Sequence, residues 1–318
     1  MKKISIISIL LCLAILVTAC AATGVGTDTT EETVAGLEVT SEDTTVEVTE
    51  EETTLPETEE TTTAGLQARD PDQAFKVLFI GNSYTYYNDL NKSDGIFANI
   101  ARNAGYTKVS VRSIYKGSYY LHKFLDPNDT YGKQVLQALK SSTKYDIVII
   151  QEQSANPIAN PADFYTSCRQ FKTLIDANGG EMWLYATWGY KTGHSNLSKY
   201  GPTTERMEMR LRAAYTAIAE ELGVGVVYAG AAMTKAFTDK IGIELYNSDN
   251  THPSAAGSYL VAWTMFGTIF GVDPINLTYN GILKKSQADA LRAVASEIVN
   301  NPPEVSKTYQ VRSKGIGN

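Results

Sequence analysis

Two short stretches hold residue types that could do chemistry together. The first is "FIGNSYT", where an apolar run gives way to a glycine, an amide and a hydroxyl at Gly81-Asn82-Ser83. The second is "DNTHPSAAG", in which His252 follows Asp249 by three residues in a polar segment. A serine hydroxyl is a poor nucleophile at neutral pH until a base takes its proton. Histidine is the usual base, and it needs an acceptor to fix its ring and tautomer. One loop carrying both Asp249 and His252 could supply base and acceptor to Ser83. Plainer readings exist for each residue. Ser83 could close a turn, Asp249 could serve an Asx-turn among Asn247, Ser248 and Asn250, and His252, before Pro253, could simply begin a helix. The coincidence of all three, in this order, favours catalysis.

Something must hold residues so far apart in the chain close together in space. Apolar, β-rich runs at 76–80, 108–115, 146–151, 182–187 and 225–229 read as strands. The third, "DIVIIQ", is continuously apolar, as a strand covered on both faces should be. Helical periodicity fills the spans 93–104, 131–140, 162–177, 203–222, 255–270 and 286–299, and Asn178-Gly179-Gly180 is a good stop signal. This alternation predicts a parallel sheet with helices on both faces. Ligands of such sheets bind beyond the carboxyl ends of the strands. The exits there are Gly81-Asn82-Ser83, Tyr115-Lys116-Gly117-Ser118, Gln151-Glu152-Gln153-Ser154 and Thr187-Trp188-Gly189-Tyr190.

At this point the two motifs, together with the strand pattern, resemble the SGNH (GDSL-like) hydrolases. In that family a serine follows Gly-Asp or Gly-Asn after the first strand, and an Asp-x-x-His pair lies near the C-terminus. The Gly-x-Ser-x-Gly elbow of the α/β-hydrolases is absent from the sequence. The resemblance implies an α/β fold: a three-layer α/β/α flavodoxin-like sandwich with a central five-stranded parallel sheet. It also implies Ser83 as nucleophile, His252 as general base and Asp249 as its orienter. It calls for an oxyanion hole, since the tetrahedral intermediate places negative charge on the former carbonyl oxygen. Gly117 fits the family's glycine donor. The third block departs from the family's Gly-x-Asn-Asp and looks more like the Gln-Gly-Glu-Ser of carbohydrate acetylesterase branches. A glutamine amide donates as an asparagine does, with longer reach. Gln151 is the first choice for that donor, Gln153 the second and Asn156 a distant third.

Aromatic residues crowd the strand exits at Tyr84, Tyr86, Tyr87, Tyr119, Tyr120, Trp188 and Tyr190. Sugar rings stack on such faces, although a chain with 19 tyrosines will place some there for packing alone. Asn82, Tyr84, His122 and Trp188 are the expected substrate-binding residues. His122 also reads as a half-buried, hydrogen-bonded histidine, and His194 is assigned no role. The three histidines lack ligand-like spacing, so neither a metal nor a cofactor is expected. Cys168 shares a helical face with Phe164 and Phe171 and reads as a core thiol.

The N-terminal end sets the expected location. A Met1-Lys2-Lys3 head, an apolar run over 4–17 and Val17-Thr18-Ala19-Cys20 resemble a bacterial lipoprotein signal. The resemblance implies lipidation of Cys20 and a lipid-anchored, extracytoplasmic protein. Residues 1–19 are then the signal peptide. Residues 20–70, dominated by Thr, Glu and Asp, form a solvated tether unable to bury a core. As a flexible coil of ~45 residues it would span roughly 35–40 Å. Residues 71–300 are the hydrolase-like domain and 301–318 a tail. The net charge of -7 belongs largely to the tether, and no basic stripe suggests nucleic acid. The expected activity is removal of O-acyl groups, chiefly acetyl, from an acylated glycan. The alternatives are a non-catalytic glycan-binding lipoprotein, an O-acyltransferase, or a lipase-like esterase on the same fold. The sequence does not fix the oligomeric state.

Overall fold

The computed structural model describes residues 66–305, together with the backbone of two short strands further on. The chain divides into Met1–Glu60 and Thr61–Asn318, and all described residues belong to the second unit. The expected signal peptide, Cys20, most of the expected tether and half of the expected tail lie outside the described residues.

In chain order the elements are β1 (Phe75–Gly81), α1 (Ser83–Tyr86), α2 (Ile96–Asn103), β2 (Val109–Tyr115), α3 (Leu121–Phe124), α4 (Thr130–Lys140), β3 (Ile147–Ile150), α5 (Asn156–Ala159) and α6 (Pro161–Asn178). There follow β4 (Glu181–Tyr185), α7 (Leu197–Tyr200), α8 (Thr204–Leu222), β5 (Gly225–Val227), α9 (Ala229–Thr238), α10 (Ala255–Phe270) and α11 (Lys285–Asn300). A small antiparallel pair, β6 (Val311–Arg312) and β7 (Gly315–Ile316), lies near the C-terminus. The first five strands form one parallel sheet in the order β2-β1-β3-β4-β5. This is the expected flavodoxin-like architecture.

Alternation along β1 builds the layers. Val77 and Phe79 face one core with Phe97, Tyr185, Trp263 and Phe266, while Leu78 and Ile80 face a second with Phe164, Phe171, Leu211 and Tyr215. Cys168 lies in the second core, fully buried, as a packing thiol. Helix α6 stops at Gly179, whose φ of 90° is left-handed backbone that glycine adopts without a Cβ clash. The fifth strand is shorter than its β-rich sequence suggests. It ends at Val227, and Ala229 instead opens α9, a small-residue helix packed in the first core.

Strand β1 is flanked on its two sides by β2 and β3, so the chain leaves β1 in one direction and returns on the other. That is the switch point where an open α/β sheet forms its crevice. The exits of β1, β2 and β3 therefore meet there.

One buried charge lies away from this crevice. Glu208 on α8 is 2 % exposed and has Arg212 Nε at 3.4 Å. Burial pushes its carboxyl up to about 7 from an ordinary 4.5, with Arg212 opposing. Between those values the folded protein keeps a proton that the unfolded chain has released. Stability therefore falls as pH rises through this window and stays reduced above it. Glu208→Gln is expected to raise stability at pH 8 by about 1–3 kcal/mol and to change little at or below pH 4.5, read from melting curves at both values.

Candidate active site

The chain enters the site through Gly81, the last residue of β1. A Cβ there would come within 2.3 Å of Thr85 Oγ1 and 2.8 Å of Gln151 Oε1, so the tight packing requires glycine. Asn82 then caps α1, its Oδ1 accepting the Tyr84 N–H at 3.3 Å. Ser83 becomes the first helical residue. As such its N–H has no intrahelical partner.

Asp249, His252 and Ser83 form one hydrogen-bonded line. His252 Nε2 is 2.8 Å from Ser83 Oγ, and His252 Nδ1 is 2.6 Å from Asp249 Oδ2. An ionised carboxylate only accepts, so Nδ1 carries the proton and Nε2 is left to accept the serine O–H. Asp249 Oδ1 accepts the N–H groups of Thr251 and His252 at 3.0 and 2.9 Å. Partial burial pushes the Asp249 carboxyl upward, but these bonds and the His252 ring hold it below its usual value.

The loop bearing His252 is fixed from several sides. Tyr246 bridges Pro253, and the Asn247 N–H donates to His252 O at 2.8 Å. Trp188 Nε1 donates to Thr251 O at 2.9 Å, and the Tyr84 hydroxyl meets Thr251 Oγ1 at 2.5 Å. The Tyr84 and Trp188 rings stack, with centroids 4.4 Å apart. Tyr87 lies flat on the His252 ring at 4.3 Å and 13°, while Tyr84 meets that ring edge-on. Asn88, Asp89, Ser118 and Asn250, all in loops around the site, have φ between 52° and 59°. Asparagine and aspartate tolerate this region; Ser118 is the less comfortable occupant, and such strain collects where geometry is over-determined.

Above Ser83 opens a cavity of about 190 Å³. Its lining includes Ser118, Gln153, Ser154, Tyr190, His194 and Asn196, together with the exposed atoms around Ser83 and His252. The lining is mostly polar. No acceptor takes the N–H of Ser83, Gly117 or Ser118 among the described residues.

Several expected site residues are placed otherwise. Gln151 is 1 % exposed, and its Oε1 accepts the Asn82 N–H at 2.9 Å and the Thr85 hydroxyl at 2.8 Å while its amide nitrogen donates to Glu152 O. It ties β3 to the serine turn and is absent from the cavity wall. Gln153, the second choice, is in that wall, with Nε2 donating to Ser154 Oγ at 3.0 Å. Asn156 is buried and donates to Asp163. Trp188 is 0 % exposed and outside the cavity, so it braces the histidine loop instead of meeting substrate. Tyr84 and Asn82 touch the cavity, but both are buried and their polar atoms are engaged within the protein. Asn82 Nδ2, for instance, donates to Tyr119 O at 3.1 Å. His122 is exposed and paired with Asp163 at 3.0 Å, apart from the cavity lining.

Sequence reasoning missed His194, which lines the cavity with its ring against Tyr190 at 4.0 Å. Its Nδ1 accepts the Asn196 N–H at 3.1 Å, and burial pushes its pKa down, so it is a neutral ring whose Nε2 carries the proton. Its polar loop offered no periodicity from which this could be read. Among the described residues no group of three or more His, Cys, Asp or Glu side chains could hold a metal ion, and no helix is long and apolar enough to cross a membrane.

No family model and no curated protein matches the chain. Solved structures do. A protein from Slackia heliotrinireducens assigned as an SGNH hydrolase superposes with a TM-score of 0.55 at 28% identity, covering 62% of this chain and 100% of that one. By this likeness the chain has an SGNH-type hydrolase fold. A DUF4886 family protein from Bacteroides uniformis shares the fold, with a TM-score of 0.53 at 18% identity over 76% of this chain and 100% of that one. In this fold the sheet order puts the serine, the glycine turn and the third-strand block around one crevice.

Proposed function

We propose that the protein is a serine esterase that removes O-acyl groups, acetyl above all, from a carbohydrate, and that lipid on Cys20 holds it outside the cytoplasm. The observation that carries this reading is the line from Asp249 through His252 to Ser83, ending in a small polar cavity. His252 Nε2 takes the Ser83 proton as Oγ attacks the acyl carbonyl carbon. The oxyanion that forms is met by the Ser83 N–H, by the Gly117–Ser118 turn and by the Gln153 amide. The resulting imidazolium, held by Asp249, returns its proton to the leaving sugar oxygen. Water then repeats the two steps and releases the carboxylic acid. A sugar hydroxyl in place of water would make the same residues a transferase.

The cavity supports a short acyl group. Its wall is polar, whereas a long chain needs a continuous apolar groove. Acetyl esters are expected to exceed octanoyl esters on the order of 10–100-fold in kcat/KM, measured with 4-nitrophenyl esters on the same preparation. Equal or reversed preference would sink the short-acyl reading. Tight oligosaccharide binding with no ester cleavage, unchanged in Ser83→Ala, would favour a binding lipoprotein instead.

The two glutamines separate in a simple comparison. Gln153→Ala is expected to lower kcat about 100-fold with an unchanged melting temperature, as loss of one oxyanion donor does. Gln151→Ala leaves the Asn82 N–H and the Thr85 hydroxyl without their acceptor, and is expected to cost about 2–3 kcal/mol of stability. Paired kinetics and melting curves check both.

A further inference from the structure

The mechanism leaves one buried ionisable group beside the cavity unused. Glu152, between Gln151 and Gln153, is 0 % exposed. Its Oε1 accepts two backbone N–H groups, from Gln153 at 2.6 Å and from Leu121 at 3.1 Å. Leu121 closes the loop that leaves β2 through Gly117 and Ser118. One carboxylate oxygen therefore joins the β2 exit to the β3 exit. The same β2 loop is tied to the serine turn through Asn82 Nδ2 and Tyr119 O. The other Glu152 oxygen, Oε2, has no hydrogen-bond partner.

A buried carboxylate without a cation is costly to keep, and hydrophobic packing would be a cheaper way to fill the space. None of the described ion pairs includes Glu152. The groups that face it are Asp163 and Cys168 from α6, Asn156 from α5 and Tyr215 from α8, whose hydroxyl accepts the Glu152 N–H at 3.3 Å. Asp163 carries His122 on its outer side.

We propose that Glu152 is the positioning residue of the oxyanion hole, its carboxylate clamping the Gly117–Ser118 loop to Gln153 so that the donors converge over Ser83. This rests on the esterase reading above. A charged acceptor makes shorter and stronger hydrogen bonds than a neutral one, so the clamp is tightest when Glu152 is ionised. Burial pushes its carboxyl up to about 7, opposed by the N–H groups of Gln153 and Leu121 and by the nearby Asn156 amide, while Asp163 adds to the rise. The clamp therefore changes strength across neutral pH. Below that range the proton resides on unpartnered Oε2, and Oε1 keeps both N–H bonds as a weaker, neutral acceptor. Oxyanion donors act on the transition state, so the effect falls on kcat and spares KM.

Glu152→Gln retains an oxygen for both N–H groups and never ionises. The test is kcat on an acetyl ester for parent and Glu152→Gln from pH 5.5 to 8.5, taken as a ratio at each pH. The ratio cancels every pH dependence that the two proteins share. The expected ratio of variant to parent is near one at pH 5.5 and about tenfold lower at pH 8.5, with KM unchanged. A ratio that does not follow pH would overturn the proposal, because a merely structural glutamate predicts no such trend. Glu152→Ala, which removes the clamp, should lose about 100-fold in kcat at pH 8.5, and a parent-like kcat would equally overturn it. Ser83→Ala runs beside them: turnover persisting there would bring down the esterase reading, whereas its loss together with a flat ratio would bring down only the role of Glu152.

Discussion

Replacing Ser83 by alanine is expected to lower turnover of an acetyl ester by about 10³–10⁶-fold while leaving the melting temperature nearly unchanged. Ser83 Oγ has His252 Nε2 as its hydrogen-bond partner, and the ring remains held by Asp249 and by the Tyr87 face after the hydroxyl is gone. The substitution therefore removes the nucleophile without orphaning a buried group. Any residual rate reports what the oxyanion donors and substrate binding achieve alone. Initial rates on 4-nitrophenyl acetate, set beside melting curves, measure both halves of the statement. A variant within a factor of a few of the parent would mean that Ser83 is a turn residue.

Asp249→Asn is expected to cost about 10²–10⁴-fold in kcat, and the structure indicates why so small a change matters. Asp249 Oδ1 accepts two backbone N–H groups, so an asparagine oxygen must take that position. Its NH₂ group would then face His252 Nδ1 as a donor. The imidazole proton would move to Nε2, the atom that must accept from Ser83. The fold survives while the base is held in the wrong tautomer. Because the native carboxyl is held below its usual value, its contribution to stability is present at neutral pH and is lost as pH falls through the folded value. Single-turnover kinetics of the variant at neutral pH, compared with Ser83→Ala, check the prediction; a parent-like rate would remove Asp249 from the mechanism.

The three groups of the line were legible because each sits where a strand or loop must end. An apolar strand closing on Gly-Asn-Ser, and an Asp-x-x-His loop leading into a helix, are statements about backbone position that survive folding. The five parallel strands were legible for the same reason, since residues such as Ile147 to Ile150 are buried on both faces and read as unbroken apolar runs. What could not be read was which side of a strand exit each polar or aromatic residue turns to. Gln151 and Gln153 differ by two positions, yet one bonds inward to the serine turn and the other faces the cavity. Trp188 and Tyr84 resemble a sugar platform in sequence, but they stack on each other beneath the histidine loop. His194 approaches the site through a loop with no periodicity, so only three-dimensional closure reveals it, and the same closure shows that Tyr87, one of the strand-exit aromatics, lies on the His252 ring. Helix α9 escaped because it opens after Tyr228 with no capping side chain and no acidic residue in its first turn, so Ala229-Gly230-Ala231-Ala232 carries none of the usual helix-start signals.

These placements make the covalent step the point on which the whole account turns. The most direct test is to quench the protein with acid during turnover of 4-nitrophenyl acetate and to map the acyl group by peptide mass spectrometry. The account predicts acetyl on the hydroxyl of Ser83, absent in Ser83→Ala and in His252→Ala. An acyl group on another residue, or turnover with no acylated serine at any time, would contradict it.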